Sequence, residues 1–568
     1  VDGLPLKELS LANNQITKIQ PLVPFLENGF NIYTDYNYHS ENKKIELHKN
    51  PIQDCPLDII AQGSAAVIQY FKDIAEKGTF YVYESKMLIV GEPRAGKTTL
   101  RKNLLEPGYK VQKNDVETIG VEVCPNWQFP YTEDVSKPFI ANIWDFGGQD
   151  RQYPLHQYFM SADTLYVLLS DDRADNTALD KWFSMIKLLG GKAYKLIVVL
   201  NEIKRSSGVT NFKPKKYKDL GFEFETHQLD FSKDTERMQS LRAAIQKSLS
   251  TLPHISMALP GNCEGVRKAL IKKRNEKIDY ITYSDYEMAC ASVGMHDAAE
   301  QRKVLSYLGL VGDIVHYDND DNLLDLIVLN PHWIIEAIYA VITHQDFDET
   351  HSKGRFTRQV LFDFWQQPVG TRKKVYKESE CQKLLPLLLK NQFDICFKLK
   401  GSETYLVPLC MPEDLPDHEF EQNRALVLLF KYEMMPPGML TRLIVRLSDD
   451  IKAELVSKMG IVLETKAVLA KVEEYKLEND ANKYIRLSVI GSPAAQKDYL
   501  AILKKELLAV QNHWFKNLVY DELVPCICAD CQAEKVGHFH KIADIQKRIE
   551  KQKKIFHVEM ATILIFLN

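Results

Sequence analysis

No stretch of the 568 residues approaches the roughly 20 apolar residues of a membrane-spanning helix, and the closing run Ala561 to Leu567 is only strand length. Basic excess is missing too. The 72 Lys and Arg residues face 76 Asp and Glu, a formal charge of −4, so the positive field that nucleic acid binding requires is not supplied. Cysteine is sparse: ten residues lie thinly spread apart from one cluster at 526–531, which argues against a disulfide scaffold and for a reducing, cytoplasmic setting. With 45% hydrophobic and 26% charged residues, wholesale disorder, collagen and a coiled-coil rod are excluded, and ordinary globular sequence remains. At roughly 100 to 200 residues per domain, the length predicts about three or four domains.

The first informative stretch is Leu6-x-x-Leu9-x-Leu11-x-x-Asn14-x-Ile16, which fits the leucine-rich repeat pattern. Ile45-x-Leu47-x-x-Asn50-x-Ile52 is a partial copy at a long interval, as in an atypical terminal repeat; the alternative is a chance strand and turn. Because Val1 falls within repeat-like sequence, the chain is expected to be a fragment. Residues 57–78 place apolar side chains near helical spacing and read as a connecting helix stopped at Gly78. Strands are then expected at Tyr81 to Val90, Phe139 to Phe146, Thr164 to Ser170 and Leu196 to Leu200, with helices at 98–106, 176–190 and 235–252. That alternation predicts a mostly parallel sheet covered by helices on both faces. Beyond residue 255 the pattern is mixed α+β: helical segments around 284–307, a strand at Leu326 to Leu329, a helix after Pro331, and strands at Leu426 to Phe430 and Leu440 to Leu447.

The strongest chemical signal is Gly91-Glu-Pro-Arg94-Ala95-Gly96-Lys97-Thr98, a G-x-x-x-x-G-K-[ST] phosphate loop between an apolar strand and the helix that opens at Thr99. Backbone N–H groups and the positive helix end converge there, so Gly91, Arg94, Ala95, Gly96, Lys97, Thr98 and Thr99 are the candidate phosphate-binding residues. Lys97 is placed to bridge the β- and γ-phosphates, and the Thr98 hydroxyl to hold Mg²⁺. Downstream, Asp145-Phe-Gly-Gly148-Gln149 ends a second apolar strand. Asp145 is placed to orient Mg²⁺, Gly148 to offer its N–H to the γ-phosphate, and Gln149 to orient the attacking water. The kinase reading of Asp145-Phe-Gly147 is rejected, because no HRD-type loop precedes it. Thr118, between the two motifs, completes the Mg²⁺ shell in this reading; otherwise it is an ordinary strand residue.

The order of repeat, connecting helix, phosphate loop, Thr118-x-Gly120, Asp145 to Gln149 and His156-Gln-Tyr-Phe-Met160 resembles the Roc domain of Roco proteins, the group that includes the leucine-rich repeat kinases. Val328-Leu-Asn-Pro-His-Trp333, Phe430 to Arg442 and Ile485 to Ile502 resemble the COR domain that follows Roc. The resemblance implies a multidomain α/β P-loop NTPase of Ras-like Roc type, preceded by a leucine-rich repeat end and followed by an α+β COR domain. Its expected boundaries are repeat 1–56, connecting helix 57–80, Roc 81–254, COR 255–520 and a cysteine-containing segment 521–568. It implies GTP and GDP as substrate and product, slow GTP hydrolysis with Mg²⁺, homodimerisation through COR, and protein partners on the repeats. It also places Arg173, in Ser170-Asp-Asp-Arg-Ala-Asp175, as a catalytic finger; the alternative is a solvated loop arginine paired with Asp171, Asp172 or Asp175.

One departure matters. Where N-K-x-D should select guanine, the chain reads Asn201-Glu-Ile-Lys204, and an ammonium has only donors to offer the base. Asn201 is retained as a base-side contact. GTP held through another acceptor or mainly through its phosphates, a relaxed or ATP preference, and a nucleotide-gated scaffold with weak turnover all stay open. Separately, Cys526, Cys528, Cys531 and His538 offer a tetrahedral zinc set, with His540 nearby; the alternative is reduced cysteines in a loop.

Overall fold

The computed structural model describes residues 6–550 apart from 35–42, 53, 56, 111–117, 119, 149–152, 162–163, 172–175, 192–193, 203–211, 256–257, 318–322, 344–351, 369–373, 478–479, 481, 516–517, 527–530 and 532–537. At the N-terminus β1 (Glu8–Ser10), β2 (Asn31–Tyr33) and β3 (Lys44–Glu46) form a parallel sheet in the order β1-β3-β2. Leu9 pairs with Ile45. The Asn50 amide donates to the Leu11 and Leu47 carbonyls at 2.8 and 3.0 Å, and its oxygen accepts from the Ile16 N–H at 3.1 Å. One side chain thereby satisfies backbone groups of two turns that have no helix or ladder partner. β2 and the short helix α1 (Val23–Glu27) occupy the long interval between Asn14 and Asn50.

The connecting helix is two helices. α2 (Leu57–Ala61) and α3 (Ser64–Lys77) part at Gly63, whose φ of +95° is outside the helical region and open to glycine without strain. Tyr70 of α3 donates to the Ala258 carbonyl at 2.5 Å. The single strand expected from Tyr81 to Val90 is also two: β4 (Thr79–Tyr81) pairs antiparallel with β11 (Ala258–Pro260), and β5 (Glu84–Gly91) enters the central sheet.

That sheet has six strands in the order β10-β9-β8-β5-β7-β6, namely β5, β6 (Val121–Pro130), β7 (Pro138–Phe146), β8 (Leu165–Asp171), β9 (Lys195–Asn201) and β10 (Glu225–Leu229). All neighbours run parallel except β6, which is antiparallel to β7. The helices are α4 (Lys97–Leu105), α5 (Tyr153–His156), α6 (Asn176–Leu189), α7 (Pro214–Asp219) and α8 (Thr235–Ser250). Residues alternate across β5: Met87 and Ile89 join the core that includes Leu100 of α4 and Leu241 of α8, while Leu88 and Val90 join the opposite core. This second core does not end with the nucleotide domain. It continues into Trp333, Ile334, Ile338 and Tyr339 of α12 (Pro331–Thr343), which lies beyond residue 260 in the chain.

The following region comprises α9 (Asn262–Asn275), α10 (Tyr283–Ala291), α11 (Ala298–Val311), α12, α13 (Arg358–Gln366) and α14 (Glu378–Leu387). Two three-stranded antiparallel sheets accompany them: β12 (Tyr280–Ile281), β13 (Val315–His316) and β14 (Ile327–Val328), then β15 (Arg355–Thr357), β16 (Phe397–Lys398) and β17 (Thr404–Leu406). A reciprocal capping box between Thr282 and Asp285 starts α10, and Asp297 caps α11.

The last layer is a seven-stranded antiparallel sheet in the order β19-β20-β21-β22-β18-β23-β24. Its strands are β18 (Leu426–Tyr432), β19 (Ile451–Val456), β20 (Gly460–Glu464), β21 (Val468–Tyr475), β22 (Lys483–Gly491), β23 (Asp521–Pro525) and β24 (Phe539–Lys541). Helices α15 (Met439–Arg446), α16 (Pro493–Trp514) and α17 (Ile542–Glu550) complete the layer. Two expectations are corrected here. The segment from residue 521 is not separate, because β23 and β24 are strands of this sheet. Leu440 to Leu447 is a helix rather than a strand: Leu440, Leu443, Ile444 and Leu447 recur at i, i+3, i+4, i+7, and the apolar face buries all four. Ile444 is fully buried, so Ile444→Ala should cost about 2–5 kcal/mol in urea unfolding; a loss under about 1 kcal/mol would contradict the placement of this face in the core.

Candidate nucleotide site

The phosphate loop is built where β5 ends and α4 begins. Gly91 has φ +137°, and a Cβ there would lie 2.0 Å from the Leu169 carbonyl oxygen of β8, so only glycine fits. Gly96 caps α4 in the left-handed region, with Asn201 Nδ2 and the Phe231 ring against it. Arg94 also has a positive φ, +62°. Ala95 is buried, and its carbonyl accepts from Asn201 Nδ2 at 3.0 Å, which anchors the end of β9 to the loop. Lys97 is buried and folds back over the loop, donating to the Gly91 and Glu92 carbonyls at 2.9 and 2.6 Å. Thr99 follows in the first turn of α4, where its carbonyl accepts from Asn103.

Three oxygens converge beside Lys97. Thr98 Oγ1 and Thr118 Oγ1 are 2.8 Å apart, and each donates to Asp145 Oδ2, at 3.1 and 3.2 Å. Asp145 is fully buried. Burial pushes its carboxyl above the usual range, opposed by Arg101, Lys97, Thr98 and Thr118. Its other oxygen, Oδ1, is buried with no hydrogen-bond partner. A buried carboxylate with an orphaned oxygen beside two hydroxyls is an all-oxygen donor set, which fits Mg²⁺. Sequence reasoning missed Arg101, whose Nε lies 3.2 Å from Asp145 Oδ2. Its signal is the i+3 spacing from Thr98, which puts both on the same side of α4.

The second motif crosses the loop at Gly148, where a Cβ would lie 2.6 Å from Lys97 Nζ and 2.5 Å from the Pro93 nitrogen. The chain then enters α5, and Tyr153 donates to Glu92 at 3.2 Å. Gln149, Arg173, Lys204 and Cys528 lie outside the described residues. After β10, Asp230 accepts from the Ser232 N–H and hydroxyl at 2.9 and 2.5 Å, with Lys233 at 3.3 Å. This turn brings Phe231 against Gly96, beside Asn201.

Contacts to the later layers surround both motifs. The ring of Tyr339 on α12 would stand 3.1 Å from a Cβ at Gly120, two residues after Thr118, and Gly120 accepts from the Gly147 N–H at 2.7 Å. His332 Nε2 is 3.3 Å from the Val123 carbonyl of β6. Tyr339 also stacks on Phe159 and leans on His156. His156 is fully buried among Phe146, Tyr153, Trp182 and Tyr339, and neither ring nitrogen has a hydrogen-bond partner. Farther along, Tyr158 lies under the buried Arg442 guanidinium at 4.3 Å, with Trp514 on that cation's other contact at 4.0 Å. Tyr158 and Arg442 both donate to the Phe393 carbonyl. Lys86, fully buried in β5, donates to the Phe159 carbonyl at 2.7 Å, and burial lowers it to about 7.

Family models match in the same order along the chain: the Ras of Complex, Roc, domain over residues 86–204, the C-terminal of Roc COR-A domain over 260–411, and COR-B over 423–565. The chain belongs to the Roco family. Among Roco-type relatives, a Roc-COR-CHAT protease of Runella zeae is 29% identical over 72% of this chain and 44% of its own length. A second Roc-COR-CHAT protease, from an unknown prokaryotic organism, is 26% identical over 83% and 45%. The probable serine/threonine-protein kinase pats1 of Dictyostelium discoideum is 23% identical over 84% and 15%. The chain thus spans less than half the length of these relatives. The GDP-bound RocCORdC structure of Methanosarcina barkeri Roco2 is 27% identical, covering 58% of this chain and 97% of its own, with a TM-score of 0.48. The COR-A match contains α12 and the COR-B match contains Arg442 and the cysteine cluster.

The His156 environment carries a measurable consequence. Burial, then the Lys97 charge, holds the imidazole well below its ordinary value of 6.5, so the native state keeps it neutral while the unfolded chain takes up a proton as pH falls. Its contribution is therefore present in full above that value and is lost as pH falls below it. Between about pH 7 and pH 5 the urea midpoint of the wild type should fall more steeply than that of His156→Phe; parallel slopes would show that the ring protonates without penalty in the fold.

Proposed function

We propose that the chain is a Mg²⁺-dependent, GTP-binding and GTP-hydrolysing switch of Roco type, whose COR layers read the nucleotide state and provide the dimer contact. The convergence of Thr98, Thr118 and Asp145 oxygens within 3.2 Å beside Lys97 carries this reading. Thr98 and Thr118 would hold the metal, with Asp145 behind them; bound there, Mg²⁺ supplies positive charge to the β- and γ-phosphate oxygens. Lys97 exchanges its loop carbonyls for those phosphates. Gly148 offers its N–H to the γ-phosphate, and Gln149, the next residue, orients the attacking water. Arg173 adds a cation at the transition state, from this site or the partner copy's.

The reading of nucleotide state follows from the contacts of Thr118 and of the segment after Gln149. Thr118, already hydrogen-bonded to Thr98 and Asp145, exchanges those partners for the metal when metal and γ-phosphate are present, and Gly120, two residues on, bears on Tyr339. Movement after Gln149 is felt by Tyr339 through His156 and Phe159, and by Arg442 and Trp514 through Tyr158. The repeat coil would offer a surface for protein partners. No helix among the described residues is long and apolar enough to cross a membrane.

Lys204 favours a second reading in which base preference is relaxed or turnover is weak, because its ammonium cannot accept from guanine. Calorimetry with GDP, GTP, ADP and ATP plus Mg²⁺ separates the two. A guanine preference of at least about tenfold, about 1.4 kcal/mol, is expected, and equal or tighter adenine binding sinks the GTP assignment. Single-turnover hydrolysis by Gln149→Leu should slow by at least about tenfold; an unchanged rate would leave the nucleotide-gated scaffold as the better description.

A further inference from the structure

We propose that Cys526, Cys531 and His538 bind one zinc ion that clamps the edge of the COR-B sheet, a site independent of the nucleotide chemistry. The hairpin of β23 and β24 sets the first two ligands opposite each other. Pro525 pairs with Phe539, and one residue further the Cys526 N–H donates to the His538 carbonyl at 2.7 Å. Residues directly opposed in an antiparallel pair send their side chains to one face, so thiol and imidazole meet there. Cys531 lies beside them: its Sγ, Cys526 Sγ and a His538 ring nitrogen all lie within 4.8 Å of one another.

Tetrahedral zinc, with bonds of about 2.3 Å to sulfur and about 2.0–2.1 Å to nitrogen, spaces its ligand atoms about 3.5–3.8 Å apart. The ligand atoms, already within 4.8 Å of one another, need to close by only about 1 Å to reach that spacing. Two soft thiolates and an imidazole select zinc over Mg²⁺ or Ca²⁺, which keep to oxygen donors such as the Thr98, Thr118 and Asp145 set. For the fourth position two groups are at hand. One, among the described residues, is His540, on the same face of β24 with its ring 4.7 Å from that of His538; the other, Cys528, lies outside the described residues, and the site does not depend on it.

The position gives the metal structural work. β24 has three residues and is the sheet's edge, and so short a strand holds poorly by itself. Yet it leads directly into α17, whose Ile542 and Ile545 are buried in the COR-B core. Fixing residues 526 and 538 to one ion closes the loop and locks α17 onto that core.

The test uses the whole chain, purified under reducing conditions and saturated with Mg²⁺ and GDP, with metal content read by plasma mass spectrometry. One zinc per chain is expected, absent from Cys526→Ser/Cys531→Ser while GDP affinity is unchanged. Should that double variant fail to fold, Co²⁺ titration of chelator-treated wild type decides: thiolate-to-cobalt charge transfer and tetrahedral d–d bands, displaced by Zn²⁺, are expected. Zinc content that persists in the double variant, a cobalt spectrum without thiolate bands, or a Cys526–Cys531 disulfide in the reduced protein would each overturn the proposal.

Discussion

The contact on which the molecule turns is the ring of Tyr339 against Gly120. A parallel sheet must be covered on both faces, because its strands are apolar on both. Here one face is closed by α4 and α8, from the same domain, while the other is covered by α6 of that domain together with α12, from the COR-A part of the chain. The nucleotide domain therefore does not finish its own core. Gly120 permits the close approach twice over: its φ is +77°, which strains any L side chain, and a Cβ there would press to 3.1 Å from the ring.

Because part of that cover is borrowed, the phosphate end packs directly against COR-A at Gly120. Thr118 stands two residues from Gly120 and already shares a hydrogen-bonded triangle with Thr98 and Asp145. His156 and Phe159 reach the same tyrosine from the other motif, and Tyr158 reaches the COR-B layer through a buried guanidinium held between aromatic rings. Close-packed interiors shift between discrete arrangements rather than deforming smoothly, so a small displacement at either motif is felt by α12. The proposed zinc clamp is independent of this coupling and concerns only whether the COR-B sheet, at its β24 edge, holds its last helix.

The phosphate loop was legible in the sequence because its chemistry needs glycines, a lysine and a hydroxyl contiguous in the chain, and Asp145 because it ends an apolar strand. Thr118 was weaker alone and gains meaning from the triangle. What escaped had other causes. Leu440 to Leu447 is a dense apolar run, and its helical spacing of Leu440, Leu443, Ile444 and Leu447 is easily read as a buried strand. The break at Gly63 reads as an ordinary small residue in a helical run. Tyr339 and Arg442 are far from the nucleotide motifs in sequence, so no local pattern could join them to Gly120 or Tyr158; that information resides in packing.

The central claim is that COR-A senses the nucleotide through α12. Amide hydrogen exchange on the whole chain, comparing GDP with a non-hydrolysable GTP analogue in the presence of Mg²⁺, tests it most directly. The account predicts that protection of residues 120–123 and of helix Pro331–Thr343 changes together, and that Tyr339→Ala abolishes the change in the helix while leaving the change in the phosphate loop. A response confined to the phosphate loop in the wild type would contradict it.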